Sequence, residues 1–202
     1  MSKKEENLEF FNAWASWYDS WLNPFRFWLK HVQKKVSENV GEGKVIDIGC
    51  GTGDLLLILD EKSKKQNRKT ELYGIDISKK MLEKSKRKLD GNALIGYGNV
   101  ESMPFNENYF DFVCSTEAFH HYENPKKAVS EMHRILKKGG TLLLADISTS
   151  SRIIKKLFLW LEPGHVALYS KNEFKKLLED AGFRIEKQKR IGLFAVMNVA
   201  RK

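Results

Sequence analysis

The chain has 202 residues, 42% hydrophobic and 30% charged, which suits one ordinary domain running over 1–202. No apolar run reaches the roughly 18 residues of a membrane span, the charged start MSKKEENLEF argues against a signal peptide, and two cysteines, Cys50 and Cys114, make no disulfide framework, so a cytoplasmic location is expected. The net charge of +9 comes from scattered lysines and arginines, which reads as a solvated surface and disfavours nucleic acid as a partner, with a nucleic-acid or lipid footprint as the alternative.

Residues 8–36 are rich in aromatics. Phe10, Trp14, Trp17 and Trp21 recur at three- and four-residue steps, so one face of a predicted helix is aromatic. Pro24 breaks that helix or starts the next, and Leu29, Val32 and Val36 continue an apolar stripe toward Gly41. These rings either dock the helices on the body or line a lid over an apolar substrate pocket, with Trp14 and Trp17 as candidate substrate contacts.

Next comes KVIDIGCGTGD, Lys44 to Asp54. Val45, Ile46 and Ile48 predict a short buried strand, Gly49, Gly51 and Gly53 follow at alternate positions, and Leu55 to about Gln66 reads as a helix. Strand, glycine-rich turn and helix form the layout of a nucleotide-binding βα turn. A dinucleotide fingerprint would place its third glycine where this chain has Asp54, and an acid at a helix N-terminus repels a pyrophosphate. A structural glycine turn and a different nucleotide site are the competing readings.

Glu71 to Asp76 predicts strand two. Asp76 follows the glycine turn by roughly 20 residues, where an acid accepts from ribose hydroxyls. Ser78 is a candidate N-cap for a helix whose inward positions are Met81, Leu82, Ser85 and Leu89. Ala93 to Tyr97 and Phe110 to Cys114 read as strands three and four. Asn124-Pro125 opens a helix expected to end at Lys137, Lys138 and Gly139-Gly140, before strand five at Leu142 to Ala145. The segment IIKKLFLWL predicts an amphipathic helix that packs on the body, walls the substrate pocket, or touches a membrane surface. Ser170 to Ala181 reads as a helix with Ser170 and Glu173 in a capping box, and Phe183–Lys189 with Ile191–Ala200 as a final hairpin. This alternation implies an α/β protein with a mostly parallel sheet covered on both faces.

The pattern D-x-G-x-G-x-G at 47–53, the segment GNVESMPF at 98–105 and the block STEAFHHYENPKKAVSEMHRILKKGGTLLLADI resemble the class I S-adenosylmethionine-dependent methyltransferases. Over residues 40–147 the similarity is to the small-molecule branch that includes the ubiquinone and menaquinone biosynthesis enzymes. The resemblance implies a Rossmann-like, doubly wound seven-stranded sheet in the order 3-2-1-4-5-7-6, with the last strand antiparallel. The order of elements divides the chain into a helical cap over 1–40, a cofactor-binding core over 41–147, and a substrate-side helix with C-terminal strands over 148–202, and outside 40–147 the resemblance is only general. The implied cofactor is S-adenosyl-L-methionine, released as S-adenosyl-L-homocysteine. Its candidate contacts are Asp47, Gly49, Gly51 and Gly53 in the turn, Asp76 at the ribose, and Ile77 and Met81 after it. Asn99, Val100 and Glu101 line the adenine side, and Thr116 and Tyr18 complete the set. Where the family usually has Asp, this chain has Asn99, which accepts without charge or serves as a plain turn residue.

Methyl transfer from a sulfonium is an in-line displacement, so the protein mainly positions the reactants and excludes water. The acceptor is expected beyond strands one and four, beside His120 and His121. One of these takes a proton from a phenol or enol, or both are structural. No metal is expected, because adjacent histidines rarely chelate one ion and no nearby cysteine or carboxylate completes a set. His165 and Phe158 are further candidate substrate contacts. An Asn/Asp-Pro-Pro-Tyr segment, usual in amino methyltransferases of bases and glutamine amides, is replaced here by STEAFHH. The expected function is methyl transfer to a small apolar or aromatic acceptor by a monomer or homodimer, with peripheral membrane contact left open. The alternatives are a methyltransferase acting on RNA or protein and a non-catalytic partner protein that binds the same cofactor.

Overall fold

The computed structural model describes residues 12, 25–161, 167–192 and 194–202, and for 25 and 157–161 the backbone alone. Its centre is built by apolar runs whose alternate side chains enter opposite layers, the pattern of strands buried on both faces. In β1 (Gly43–Ile48), Val45 faces one core while Ile46 and Ile48 face the other. In β5 (Leu136–Ile147), Leu142 and Leu144 point one way and Leu143 and Ala145 the other.

The remaining strands are β2 (Thr70–Asp76), β3 (Leu94–Tyr97), β4 (Phe110–Thr116), β6 (Arg184–Ile191) and β7 (Ala195–Arg201). They form one seven-stranded sheet in the order β3-β2-β1-β4-β5-β7-β6, as the resemblance implied. The first five strands are parallel, and β7 runs antiparallel to both β5 and β6.

One face carries α1 (Phe25–Ser37), α2 (Asp54–Lys65) and α3 (Lys79–Leu89), through residues such as Val32, Val36, Leu55, Leu59 and Leu82. The other carries α4 (Pro125–Ile135) and α6 (Lys171–Asp180), through Val129, Met132, Phe174 and Leu178. A further helix, α5, spans Arg152–Leu161. Capping chemistry explains several starts. The Ser78 hydroxyl accepts from Met81 N at 3.3 Å, and the predicted capping box of Ser170 and Glu173 is formed in full. α1 begins at Phe25, and Pro24 lies outside the described residues.

One expectation fails. The helix over 125–135 does not run on to Lys137 and Lys138, and Gly139-Gly140 do not stop it. Leu136 is already extended and fully buried as the first residue of β5. The pairing steps from Phe110↔Leu136 to Phe112↔Thr141, so residues 137–140 bulge out of the ladder. That bulge is held by Gly139 N donating to Lys202 O at 3.0 Å and Lys202 N donating to Gly140 O at 3.2 Å. A partner 62 residues away decides this boundary, which local propensity does not register.

Candidate active site

The carboxyl ends of the parallel strands meet at one end of the sheet. There Gly49 N and Cys50 N both donate to Ile75 O, at 2.9 and 3.0 Å, and lash the turn after β1 to β2. Gly49, Gly51 and Gly53 have φ of +71°, +52° and +83°. Two of them are glycine for different reasons. A Cβ on Gly53 would lie 2.5 Å from Ser85 Oγ and 3.1 Å from Leu89 Cδ1 on α3, whereas one on Gly51 meets nothing within 4 Å. Gly53→Ala therefore combines left-handed strain with overpacking, about 2–4 kcal/mol in all, and should lower the melting temperature by roughly 5–15 °C. Gly51→Ala should cost only the strain, about 1–2 kcal/mol, yet place a methyl group where a ligand approaches. Calorimetric melting with a cofactor titration on both variants checks this: Gly53→Ala should lose mainly stability, Gly51→Ala mainly affinity.

Asp76 ends β2 in a defined setting. Its Oδ2 accepts from Gly51 N at 2.9 Å and its Oδ1 from Ser78 N at 2.8 Å. Each carboxylate oxygen has room for a second donor, so two adjacent hydroxyls can be accepted without moving these bonds. Ser78 Oγ donates to Asn12 Oδ1 at 2.8 Å, which places Asn12 at this turn. Burial pushes the Asp76 carboxyl up, and bonds from the N–H groups of Ser78, Gly51 and Ile77 oppose that rise.

Asp47 is 1% exposed, and its Oδ1 has no hydrogen-bond partner among the described residues. Burial, and secondarily the Asp76 charge, push its carboxyl well above the usual range. A buried, unsatisfied acid is costly and is relieved by a cation. An open left-handed glycine, a two-pronged carboxylate and a second carboxylate short of a partner together fit a molecule with a ribose diol and a cationic end. S-adenosylmethionine is such a molecule.

These shifts have a sign. A carboxyl raised in the folded state contributes stability that is present below the unfolded pKa of about 3.9 and lost as pH rises through the folded value. The ligand-free protein thus carries more of this penalty near neutral pH than in acid, and a cationic ligand relieves more of it there. The cofactor-induced rise in melting temperature should be larger at pH 7.5 than at pH 5, as thermal denaturation with and without S-adenosylmethionine will show.

Asp54 does not act as an uncompensated charge. Lys88 Nζ lies 2.6 Å from its Oδ1 and 2.8 Å from Thr52 Oγ1. The repulsion assigned to Asp54 from sequence is therefore largely neutralised by α3. Of the remaining cofactor candidates, Val100 and Met81 are buried and Ile77 is half-buried. Asn99 Oδ1 accepts from Glu101 N at 3.0 Å, the turn arrangement left open above, and Glu101 Oε1 accepts from Asn124 N at 3.0 Å.

Thr116 ends β4, and a short 3₁₀ turn, Phe119–His121, follows. Phe119 anchors that turn, fully buried with its ring 5.3–5.6 Å from those of Tyr122, Tyr169 and Phe174. The two histidines then separate in environment. His120 is 4% exposed, and its Nδ1 sits 2.6 Å from Oδ1 of Asp146, which is fully buried at the end of β5. Asp146 Oδ2 accepts from Phe119 N at 2.7 Å and His120 N at 3.2 Å. His121 is half-buried, its ring centroid 3.9 Å from that of His120. Nδ1 is turned to the carboxylate, so Nε2 is the ring nitrogen that Asp146 does not engage.

Sequence reasoning missed Asp146 and Tyr122. A lone acid in the run LLLADI signals the first, because a charge in a buried strand needs a partner. Tyr122 has no such signal. Its hydroxyl donates to Ile48 O at 3.2 Å and lies 3.1 Å from Ser115 Oγ. Burial pushes this phenol up, and the charges of Asp47, Asp146 and Asp76 act in the same direction. One phenol thus feels three carboxylates, which joins the two halves of the site. The expectation that no nearby carboxylate completes a metal set with the histidines meets one such group among the described residues. Glu117, at φ +51°, and Asp146 offer atoms within 4.8 Å of a His120 ring nitrogen and of one another. Asp146 arrives there from β5, a neighbour that only the sheet order supplies. Tyr18, Trp14, Trp17 and His165 lie outside the described residues. Phe158 has its backbone in α5 and its side chain outside the description.

Comparison with known proteins bears on the same residues. A family model described as a methyltransferase domain matches residues 46–144. A demethylmenaquinone methyltransferase of Staphylococcus haemolyticus is 30% identical over 212 aligned positions, covering 90% of this chain and 87% of the relative. An S-adenosylmethionine-dependent methyltransferase from Aquifex aeolicus superposes with a TM-score of 0.74 at 25% identity, covering 94% of this chain and 97% of that one. A chain from the complex between the Haloferax volcanii Trm112 methyltransferase activator and a methyltransferase superposes at 0.80 with 21% identity, covering 95% and 96%.

Proposed function

We propose that this chain, which belongs to the S-adenosylmethionine-dependent methyltransferase family, methylates a small apolar aromatic acceptor of the phenol or quinol class, such as a demethylmenaquinone-type ring. The observation that carries the acceptor class is the buried His120–Asp146 pair at the ends of β4 and β5, beside the cofactor turn. The name of the relative from Staphylococcus haemolyticus supports the same class.

When bound, S-adenosylmethionine supplies a methyl group already activated on a sulfonium. The protein's own residues do the rest. Asp76 holds the ribose hydroxyls, and Gly51 lets the ligand approach the backbone. Asp47 and the neighbouring carboxylates favour its positive end, and Val100 packs on the adenine side. Asp146 keeps the Nδ1 proton of His120 in place, so Nε2 accepts the acceptor hydroxyl's proton as the ring becomes nucleophilic. Fixing acceptor and methyl in line is worth up to about 7–11 kcal/mol.

The test is transfer of a radiolabelled methyl group from S-adenosylmethionine to naphthoquinols, phenols, amines, thiols and transfer RNA. Label on the quinols or phenols is expected. Label confined to RNA, amines or thiols overturns the acceptor class.

A further inference from the structure

Three of the large apolar side chains that face solvent gather at the site end of the protein: Phe27 at 73% exposed, Ile153 at 81% and Phe194 at 42%. Their shared location follows from contacts. Lys62 near the end of α2 donates to Ser37 O and Val40 O, so the C-terminal end of α1 lies at the far end of the sheet. The N-terminal turn of α1, with Phe27 and Trp28, is therefore at the site end. A Cβ on Gly192 would lie 3.7 Å from Trp28 Nε1, which places the β6–β7 turn beside it. Phe194 O in that turn accepts from Ser148 N at 2.7 Å, and Ser148 follows β5 just before α5 begins at Arg152.

Among the described residues, the two helices of this rim carry only basic charges. The sequences of α1, FRFWLKHVQKKVS, and α5, RIIKKLFLWL, contain no acidic residue. Lys30, Arg152 and Lys156 are exposed, and Lys155 pairs with Glu173 at 3.1 Å. Among the described residues, the apolar side chains of this rim come from separate elements and are set among cations. They suit a fluid interface into which each inserts independently while the cations meet anionic headgroups.

We infer that this rim, formed by the start of α1, the β6–β7 turn and α5, docks the protein on an anionic phospholipid bilayer with the site end of the sheet facing the membrane. An apolar ring dissolved in the bilayer then enters the site without crossing water. This supply role rests on the acceptor reading above, whereas the docking itself does not, and the two can fail separately.

The experiment is flotation of the full chain with phosphatidylcholine vesicles, with and without phosphatidylglycerol, at moderate salt. Binding to the phosphatidylglycerol vesicles is expected, and Phe27→Glu combined with Ile153→Glu should weaken it by about tenfold or more, since affinity scales with inserted apolar area. Leu94→Glu, at a 67% exposed position on the edge strand β3, should change nothing. Absence of vesicle binding overturns the proposal. So does equal loss from Leu94→Glu, or binding indifferent to the double substitution, which would indicate charge attraction or another surface. Methyl transfer to a short water-soluble phenol should survive the double substitution. Its loss from the unsubstituted chain, with vesicle binding intact, would count against the acceptor reading alone.

Discussion

Asp76→Ala should weaken S-adenosylmethionine binding by two to four orders of magnitude while leaving the ligand-free fold close to its original stability. Two hydrogen bonds from ribose hydroxyls to a charged acceptor are worth about 1.5–3 kcal/mol each, so roughly 3–6 kcal/mol is at stake. The stability forecast rests on two opposing effects. The substitution removes the backbone acceptors of Gly51 N and Ser78 N. It also removes a buried carboxylate that burial had pushed up, hence a charge that disfavours the fold near neutral pH. Asp76→Asn is not a mild control. Both carboxylate oxygens accept from backbone N–H groups, so an amide must turn its NH₂ against one of them. Its affinity should fall nearly as far as that of the alanine variant. Titration calorimetry measures both, and affinity within about twofold of the original for Asp76→Ala would remove Asp76 from the cofactor site.

Those residues also mark what the sequence could convey. The glycine turn and Asp76 are legible because backbone requirements write themselves into residue type. Gly53 has no room for a Cβ against Ser85, and Gly51 keeps one approach open. The sheet order was legible because alternating apolar strands and amphipathic helices leave few ways to cover both faces, and the resemblance chose among them. Long-range pairing was not. The bulge at Gly139-Gly140 depends on Lys202, and the neutralisation of Asp54 depends on Lys88. Choosing between His120 and His121 needed Asp146, which β5 brings alongside β4. In each case the deciding partner is distant in sequence and has no fixed spacing. Residue type alone therefore gives a candidate without giving its partner.

That distant partner yields the second large effect. Asp146→Asn should lower kcat about as much as His120→Gln, by roughly 10²–10⁴, with cofactor affinity unchanged in both. Three donors converge on the Asp146 carboxylate: the backbone N–H groups of Phe119 and His120, and His120 Nδ1. An asparagine there keeps its oxygen on the two backbone donors only by facing its NH₂ toward Nδ1. His120 then takes the tautomer with its proton on Nε2 and cannot act as a base. His121→Gln, in the more open position, should change kcat by less than about threefold. A purely structural role for the buried pair would lower the melting temperature and impair all acceptors alike. A base role predicts a dependence on the acceptor instead. With an acidic phenol already ionised at the assay pH, the defect of His120→Gln and Asp146→Asn should shrink toward nothing, and with a weakly acidic phenol it should be full. The dependence of kcat on pH should follow: the original chain gains activity as its base deprotonates, and both variants gain only as the acceptor itself ionises. Undiminished kcat in both variants with the weakly acidic phenol would assign the pair to packing and leave positioning as the protein's whole contribution.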